Sequence, residues 1–267
     1  MAKDYYNIET WVSTHVGKVR NNNEDNFLFF NLIVDDTQKE LAYEMKSDTD
    51  EIRLFGVFDG MGGHEFGERA SFMTADLAQS FTLDESMIEE GLNQICMQAN
   101  FLVCEEMRKL RQRIGTTASM IAMYKNQAVV CNIGDTPIYL FRNNELIPIY
   151  EEHTERRMYE RLYGVVDNKK KYRLTQNIGV FEEEMMIKPY VNRLDIKHGD
   201  LFLITSDGLT DMVDNDVICE LLPQKNALEK LQEKALEAGG KDNITMILIR
   251  VEKKSFFERI LSKGSEM

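Results

Sequence analysis

An apolar run that ends in an acid–glycine pair occupies residues 54–60, which read Leu-Phe-Gly-Val-Phe-Asp-Gly. Apolar residues without intervening polar ones are typical of a strand that is buried on both faces. Asp59 and Gly60 follow at the end of the run, where the missing Cβ of glycine lets the backbone approach a neighbour closely. The stretch therefore predicts a core strand that carries a carboxylate to the rim of the core.

The same arrangement recurs along the chain. Residues 201–208 read Leu-Phe-Leu-Ile-Thr-Ser-Asp-Gly, residues 129–135 read Val-Val-Cys-Asn-Ile-Gly-Asp, and Asp242 directly precedes another apolar strand. If these strand ends converge, the carboxylates of Asp59, Asp135, Asp207 and Asp242 would repel one another and take up protons unless a cation joins them. Oxygen ligands without Cys or His favour Mg²⁺ or Mn²⁺. A single Asp-Gly pair is an ordinary turn signal, so the prediction depends on its recurrence.

Elsewhere, short apolar runs bounded by turn residues predict strands near 27–34, 117–124, 128–133, 138–141 and 244–251. Helices are predicted over 64–80, 85–113 and 226–238. The second helix carries two overlapping rows of apolar residues, Ile88, Leu92, Ile95, Ala99, Leu102 and Leu92, Cys96, Ala99, Val103, Met107, Leu110. Strands at both ends of the chain with two helices inserted between them indicate an α+β fold.

Composition limits the classes of function. The chain has 267 residues, is 43% apolar and lacks a linker-like stretch, which favours one domain. A net charge of −13 argues against nucleic acid or an anionic membrane as the main partner. No apolar run approaches the ~20 residues of a membrane helix, and no signal peptide is apparent. The four cysteines are scattered, so neither a zinc site nor a disulfide framework is indicated, and we expect a cytoplasmic protein.

Six short motifs occur in order between residues 15 and 250. They are Arg20-x-x-x-Glu24-Asp25, Phe58-Asp59-Gly60-Met61-Gly62-Gly63-His64, Gly115-Thr116-Thr117, Asn132-Ile133-Gly134-Asp135, Ser206-Asp207-Gly208-Leu209 and Lys241-Asp242-Asn243. Together they resemble the type 2C metal-dependent protein serine/threonine phosphatases, the PPM family, in its bacterial branch. The ordered set is far more specific than any one motif.

The resemblance implies a central β-sandwich of two antiparallel sheets flanked by helices, in α/β/β/α layers. It places the phosphatase domain at residues 1–252 and leaves 253–267 as a short helical tail. It implies two divalent cations, Mn²⁺ or Mg²⁺, and a weaker third. The metal-binding residues would be Asp59, which bridges two cations, Gly60 through its carbonyl, Asp207, Asp242 and, for the third cation, Asp135.

The resemblance also implies the reaction. Water activated by a binuclear metal site would attack the phosphorus of phosphoserine or phosphothreonine directly, without a phosphoenzyme. The residues Arg20, Glu24 and Asp25 resemble the catalytic set that binds phosphate and orients metal-bound water. Substrates would be phosphoproteins made by a cognate serine/threonine kinase, in signalling by dephosphorylation, and the enzyme is expected to be a monomer.

Three departures from the family pattern stand out. Met61 occupies a position where eukaryotic relatives have a histidine that resembles a general acid, and either His64 or a metal-bound water would have to replace it. The family's Gly-Asp-Ser-Arg is Gly-Asp-Thr-Pro at 134–137. The flap segment 151–178 has its own middle, with basic residues at 169–173 that fit either a solvated loop or a contact with acidic substrates.

Two other functions remain open on the sequence. One is a catalytically inactive module of the same fold that binds a partner, although such modules usually lose one of the aspartates named above. The other is a hydrolase of small phosphoesters. The tail carries apolar residues at helical spacing, which suit docking on the body of the protein or on a partner.

Overall fold

The computed structural model describes residues 6–35, 40–62, 66–164, 166 and 172–254. Two antiparallel sheets pack face to face, as the sequence predicts. The first has the strand order β3-β1-β12-β11-β8-β9 and the second β10-β7-β6-β4-β2, with β5 pairing β4. The strands of the described residues are β1 Tyr6–His15, β2 Asp25–Phe29, β3 Glu40–Asp48, β4 Arg53–Gly62, β5 Ile114–Thr116, β6 Ala118–Tyr124, β7 Gln127–Ile133, β8 Ile138–Arg142, β9 Glu145–Pro148, β10 Tyr190–Asp195, β11 Leu201–Thr205 and β12 Ile244–Lys253.

Helices lie on the outer face of each sheet. Those of the described residues are α1 Gly67–Ser80, α2 Ile88–Leu110, α3 Glu155–Tyr163, α4 Asp207–Thr210, α5 Asn215–Leu221 and α6 Ala227–Glu237. The helices α1 and α2 pack on the second sheet, and α5 and α6 pack on the first. Between the sheets lies a continuous apolar layer that includes Phe27, Phe55, Ile121 and Phe202. The predicted α/β/β/α layering is therefore confirmed.

The apolar strands are buried along their whole length, as their composition predicts. Every residue of β6 and β11 is buried, because a sheet lies against one face and helices lie against the other. In α2 the row from Leu92 to Met107 packs on the sheet, and Cys96 and Cys104 serve as core residues. Leu102, which belongs to the other predicted row, is 38% exposed.

Five strands of the described residues were not predicted, namely β1, β3, β5, β9 and β10. In β1 buried and half-buried residues alternate, while the edge strands β3 and β10 are largely exposed. The strand β1 precedes the predicted strand that holds Phe27, and it pairs with β12 over ten residues. Predicted elements at His64, at lysines 169–171 and in the tail beyond residue 254 lie outside the described residues.

Candidate metal centre

Asp25 and Asp59 lie opposite each other on two neighbouring strands. They are partners in the antiparallel register of β2 and β4. Asp25 is the first residue of β2 itself, not part of a preceding loop, and it is 4% exposed. The sheet register, which sequence spacing does not reveal, therefore brings two motifs that are 34 residues apart, at positions 25 and 59, to one point.

The backbone of Asp59 is held by the Gly115-Thr116-Thr117 motif. Its N–H donates to Oγ1 of Thr117 at 3.0 Å, and its carbonyl accepts from the N–H of Thr117 at 2.9 Å and from Oγ1 of Thr116 at 2.9 Å. Three hydrogen bonds to the backbone of one residue leave it little freedom. The two threonines, to which the sequence assigned no role, fix the direction in which Asp59 leaves the sheet.

Gly60 is enclosed on both sides by backbone. A Cβ at this position would lie 2.4 Å from the carbonyl oxygens of Glu24 and of Gly67. The N–H of Gly60 donates to the Glu24 carbonyl at 3.2 Å, and the Ser71 hydroxyl donates to that same carbonyl at 2.6 Å. Only glycine allows the loop before β2, the end of β4 and the start of α1 to meet here.

Asp207 and Asp242 reach the same region from the first sheet. Asp207 begins α4 directly after β11, and Asp242 precedes β12. A Cβ at Gly208 would lie 1.9 Å from the Asn243 carbonyl oxygen, so glycine is needed where the two segments cross. The site thus collects acids from the ends of strands in both sheets.

Asn243 ties the N-terminal loop to Asp242. Its Oδ1 accepts from the N–H of Glu24 at 2.8 Å, and its Nδ2 donates to the carbonyls of Val16 and Asn22, both at 2.9 Å. The guanidinium of Arg20 donates to Oδ2 of Asp242 at 2.8 Å. Because these bonds bridge more than 200 positions of sequence, no local signal predicts them.

Asp135 lies in a turn that packs on the same threonines. Gly134 adopts a φ of 106°, and a Cβ there would lie 2.5 Å from the Thr117 side chain. The Thr136 hydroxyl is hydrogen-bonded to that of Thr117 at 2.6 Å. Thr136, which departs from the family's serine, therefore secures the turn through its side chain.

The acids affect one another's protonation. Burial and the neighbouring charges of Asp25, Asp207, Asp135 and Asp242 raise the pKa of Asp59 well above its ordinary value. Burial raises the pKa of Asp25 to about 7, against the opposing effect of hydrogen bonds from Ser206 and Thr245. All the aspartates singled out in the sequence are therefore close enough to interact.

The donor set fits divalent cations. Buried carboxylates that repel one another are stabilised when cations join them, and their oxygens are the ligands that Mn²⁺ and Mg²⁺ prefer. Oδ2 of Asp25 is buried without a hydrogen-bond partner, which leaves an acceptor for a cation-bound water. Among the described residues, no three acids, histidines or cysteines lie close enough together in this structure to hold a metal ion.

The two other predicted catalytic residues lie at the edge of this cluster. The side chain of Arg20 is 47% exposed and lies 4.0 Å from the Glu24 carboxylate. Glu24 accepts a hydrogen bond from the backbone N–H of Gly67 at the start of α1. Burial raises the pKa of Glu24, and Arg20 opposes that shift. A half-exposed arginine beside half-buried acids can meet an incoming anion.

The base of the flap is anchored beside the site. Thr116 forms a bridge with Ile178, and Met61 pairs with Gly115 in the β4–β5 ladder. The flap helix α3 is capped at its N-terminus by Thr154, whose Oγ1 accepts from the N–H of Arg156. Met61 thus lies between the acids and the flap, and the thioether offers no proton to a leaving group.

Comparisons with known proteins identify the family. The model of the protein phosphatase 2C family matches residues 14–244. The chain is 29% identical to the serine/threonine phosphatase Stp of Listeria welshimeri over 255 residues, which cover 88% of this chain and 93% of that protein. The chain belongs to the protein phosphatase 2C family. Its relatives are bacterial serine/threonine phosphatases, as the motifs predict, and the class is that of metal-dependent protein serine/threonine phosphatases.

Solved structures share the fold. The S. agalactiae serine/threonine phosphatase superposes with a TM-score of 0.77 at 24% identity, covering 92% of this chain and 100% of that one. The catalytic domain of the phosphatase PstP, in complex with two manganese ions, superposes with a TM-score of 0.75 at 23% identity, covering 92% and 99%. In the described part of our chain, no helix has the length and apolar character that crossing a membrane requires.

Proposed function

We propose that the chain hydrolyses phosphoserine and phosphothreonine in proteins at a centre of two divalent cations, with Mn²⁺ or Mg²⁺ held by Asp59, the Gly60 carbonyl, Asp207 and Asp242. The observation that carries this proposal is the convergence of acids from both sheets, of which Asp25 is buried and the others are half-buried, and their charges help to raise the pKa of Asp59. Asp135 is close enough to contribute to that shift and suits a weaker third site. The family match supports the same conclusion.

When bound, the cations would lower the pKa of a water molecule and neutralise charge on the phosphoryl group. Glu24 and Asp25 lie beside the ligands and accept hydrogen bonds, so they orient water at the site. Arg20 presents its guanidinium at the exposed edge, where it can bind two phosphoryl oxygens in parallel. Its bond to Asp242 also positions that ligand.

A mechanism with a cysteine nucleophile does not fit this site. Of the four cysteines, Cys96, Cys104 and Cys131 are buried in the core, and Cys219 lies on α5 beyond the first sheet. Direct attack by water therefore remains the proposed mechanism. Met61 is no acid, so we assign protonation of the leaving oxygen to water at the centre.

Several finer proposals accompany this function. Substrates would be products of a serine/threonine kinase, which places the enzyme in signalling, and the chain would act as a monomer with its catalytic domain at residues 1–252. Free thiols at all four cysteines suit a reducing cytoplasm.

The test is hydrolysis of a phosphothreonine peptide by purified protein with and without Mn²⁺. We expect turnover that needs Mn²⁺ and that falls by at least about 10³-fold in Asp207→Asn, because a lost ligand removes stabilisation of the transition state. Asp216→Asn makes the same chemical change on the exposed side of α5 and should behave like wild type. Folded protein without turnover in any divalent metal would favour the partner-binding module, and turnover of free nucleotides alone would favour the small-molecule hydrolase.

A further inference from the structure

A closed ring of hydrogen bonds lies behind the acidic centre. The N–H of Asp25 donates to Oδ1 of Asn23 at 3.2 Å, and Nδ2 of Asn23 donates to Oγ1 of Thr14 at 2.8 Å. The hydroxyls of Thr14 and Thr245 are 2.7 Å apart, on residues that face each other in the β1–β12 ladder. The Thr245 side chain also lies close enough to the Asp25 carboxyl group to lower its pKa by hydrogen bonding, and this contact closes the ring.

The chemistry of the ring sets the direction of its protons. The Asn23 amide accepts through oxygen from a backbone N–H, so its nitrogen must be the group that faces Thr14. The nitrogen can only donate, so the proton of the Thr14 hydroxyl points onward to Thr245. The proton of Thr245 is thereby directed at Asp25.

A second hydroxyl supports the same carboxylate. The Ser206 side chain lies close enough to Asp25 to lower its pKa, while its hydroxyl donates to the Asn243 carbonyl at 3.3 Å and its Oγ accepts from the N–H of Thr245 at 3.0 Å. The members Thr14, Asn23, Ser206 and Thr245 are all buried. Buried networks of this kind are worthwhile only when every group is satisfied, since each lost partner is costly. Oδ2 of Asp25 is the one ring atom without a hydrogen-bond partner.

We propose that Thr14, Asn23, Thr245 and Ser206 are positioning residues that hold Asp25 as a hydrogen-bond acceptor, with Oδ2 left for water on the bound cations. The proposal deepens the function proposed above and rests on it. Thr14 and Asn23 do not belong to the acidic centre and act through Thr245. The ring also joins β1 and β12 of the first sheet to β2 of the second, so it couples the two halves of the site.

The experiment measures Mn²⁺ binding by isothermal titration calorimetry, with phosphopeptide turnover as the second readout. Thr245→Val and Thr14→Val keep the shape of the side chain and remove the hydroxyl. We expect each to weaken Mn²⁺ binding by about 10- to 100-fold, the usual effect of losing a group that orients metal ligands. Thr245→Ser restores the hydroxyl and should restore the affinity.

The matched control is Thr10→Val on the same strand. Thr10 is equally buried, and its hydroxyl donates to the Met45 carbonyl at 2.8 Å, away from the acids. It should bind Mn²⁺ like wild type, although it loses a hydrogen bond. Equal weakening in Thr10→Val would show a general effect on the fold and would overturn the proposal.

A double variant separates a relay from two independent contacts. Because Thr14 acts through Thr245, Thr14→Val/Thr245→Val should bind Mn²⁺ no more weakly than Thr245→Val alone. The proposal would be overturned if the effects of the two substitutions on Mn²⁺ affinity multiply in the double variant. It would also be overturned if Thr245→Val binds Mn²⁺ with wild-type affinity. If Thr245→Val does not fold, the Mn²⁺ affinities of Thr14→Val and Thr14→Ser can be compared instead, because only the serine variant keeps the hydroxyl. Wild-type protein that binds Mn²⁺ without turnover would count against the phosphatase function and leave the ring testable.

Discussion

At the scale of single residues, the site depends on backbone groups as much as on carboxylates. Asp59 is held by three hydrogen bonds with Thr116 and Thr117, and Asp242 is followed by Asn243, which bonds to the backbone of three residues of the N-terminal loop. None of these partners carries charge. They determine where the acids lie, whereas the acids determine what the site can bind.

His153 provides a residue-scale prediction about pH. It is buried beside the Asp135 turn, where Nδ1 accepts from the N–H of Gly134 at 3.2 Å, and burial lowers its pKa. The unfolded chain takes up a proton near pH ~6.5, before the folded protein does. His153 therefore lowers the free energy of unfolding as the pH falls through and below that value.

Urea denaturation between pH 7 and pH 5, in metal-free buffer, measures this contribution. His153→Gln keeps an acceptor for Gly134 and does not titrate, so wild type should lose more stability than the variant on acidification. The raised pKa values of Asp25 and Asp59 increase the free energy of unfolding on acidification, because the folded state takes up these protons first. This contribution is the same in wild type and variant, so it cancels in the comparison. Parallel pH profiles would contradict the assignment.

At the scale of elements, helix α1 begins against the site. A Cβ at Gly67 would lie 2.9 Å from the Glu24 carboxylate and 3.0 Å from the Gly60 carbonyl carbon. Alanine in place of glycine within a helix usually stabilises it by up to ~1 kcal/mol. At this position the added methyl group must instead displace Glu24 or the Gly60 peptide.

We expect Gly67→Ala to reduce Mn²⁺-dependent turnover by about 10²-fold, since displacing a site by ~1 Å costs that much, with little loss of thermal stability. Steady-state kinetics and a thermal melt measure the two effects. Gly91→Ala in α2 is the control, because its Cβ would meet only the flexible end of Leu83 and a ring edge. Full activity in Gly67→Ala would show that the contact has room to relax.

At the scale of the whole molecule, the acids come from both sheets. Asp25, Asp59 and Asp135 belong to the second sheet, and Asp207 and Asp242 belong to the first. Cations bound among them would join the sheets in the folded state only. Binding to the folded state alone stabilises a protein by ~2.7 kcal/mol at a concentration of 100 Kd.

We therefore expect Mn²⁺ at 100 Kd to raise the Tm by about 5–10 °C, and EDTA to reverse the shift. Differential scanning calorimetry measures it. Asp207→Asn should lose most of the shift, whereas Asp216→Asn, on the exposed side of α5, should keep it. An unchanged Tm in wild type would show that Mn²⁺ does not bind preferentially to the folded state.

The sequence by itself determined the fold class, the core strands and the acids. Continuous apolar runs such as β6 and β11 need burial on both faces, and the six motifs identify the family. The register that sets Asp25 against Asp59, the ring through Thr14 and Thr245, and the contact of Gly67 with Glu24 were decided only by the tertiary structure. The physical reason is distance along the chain. Apolar runs are local properties of the sequence, whereas pairing between β1 and β12 and close approach of backbones depend on residues far apart in the chain.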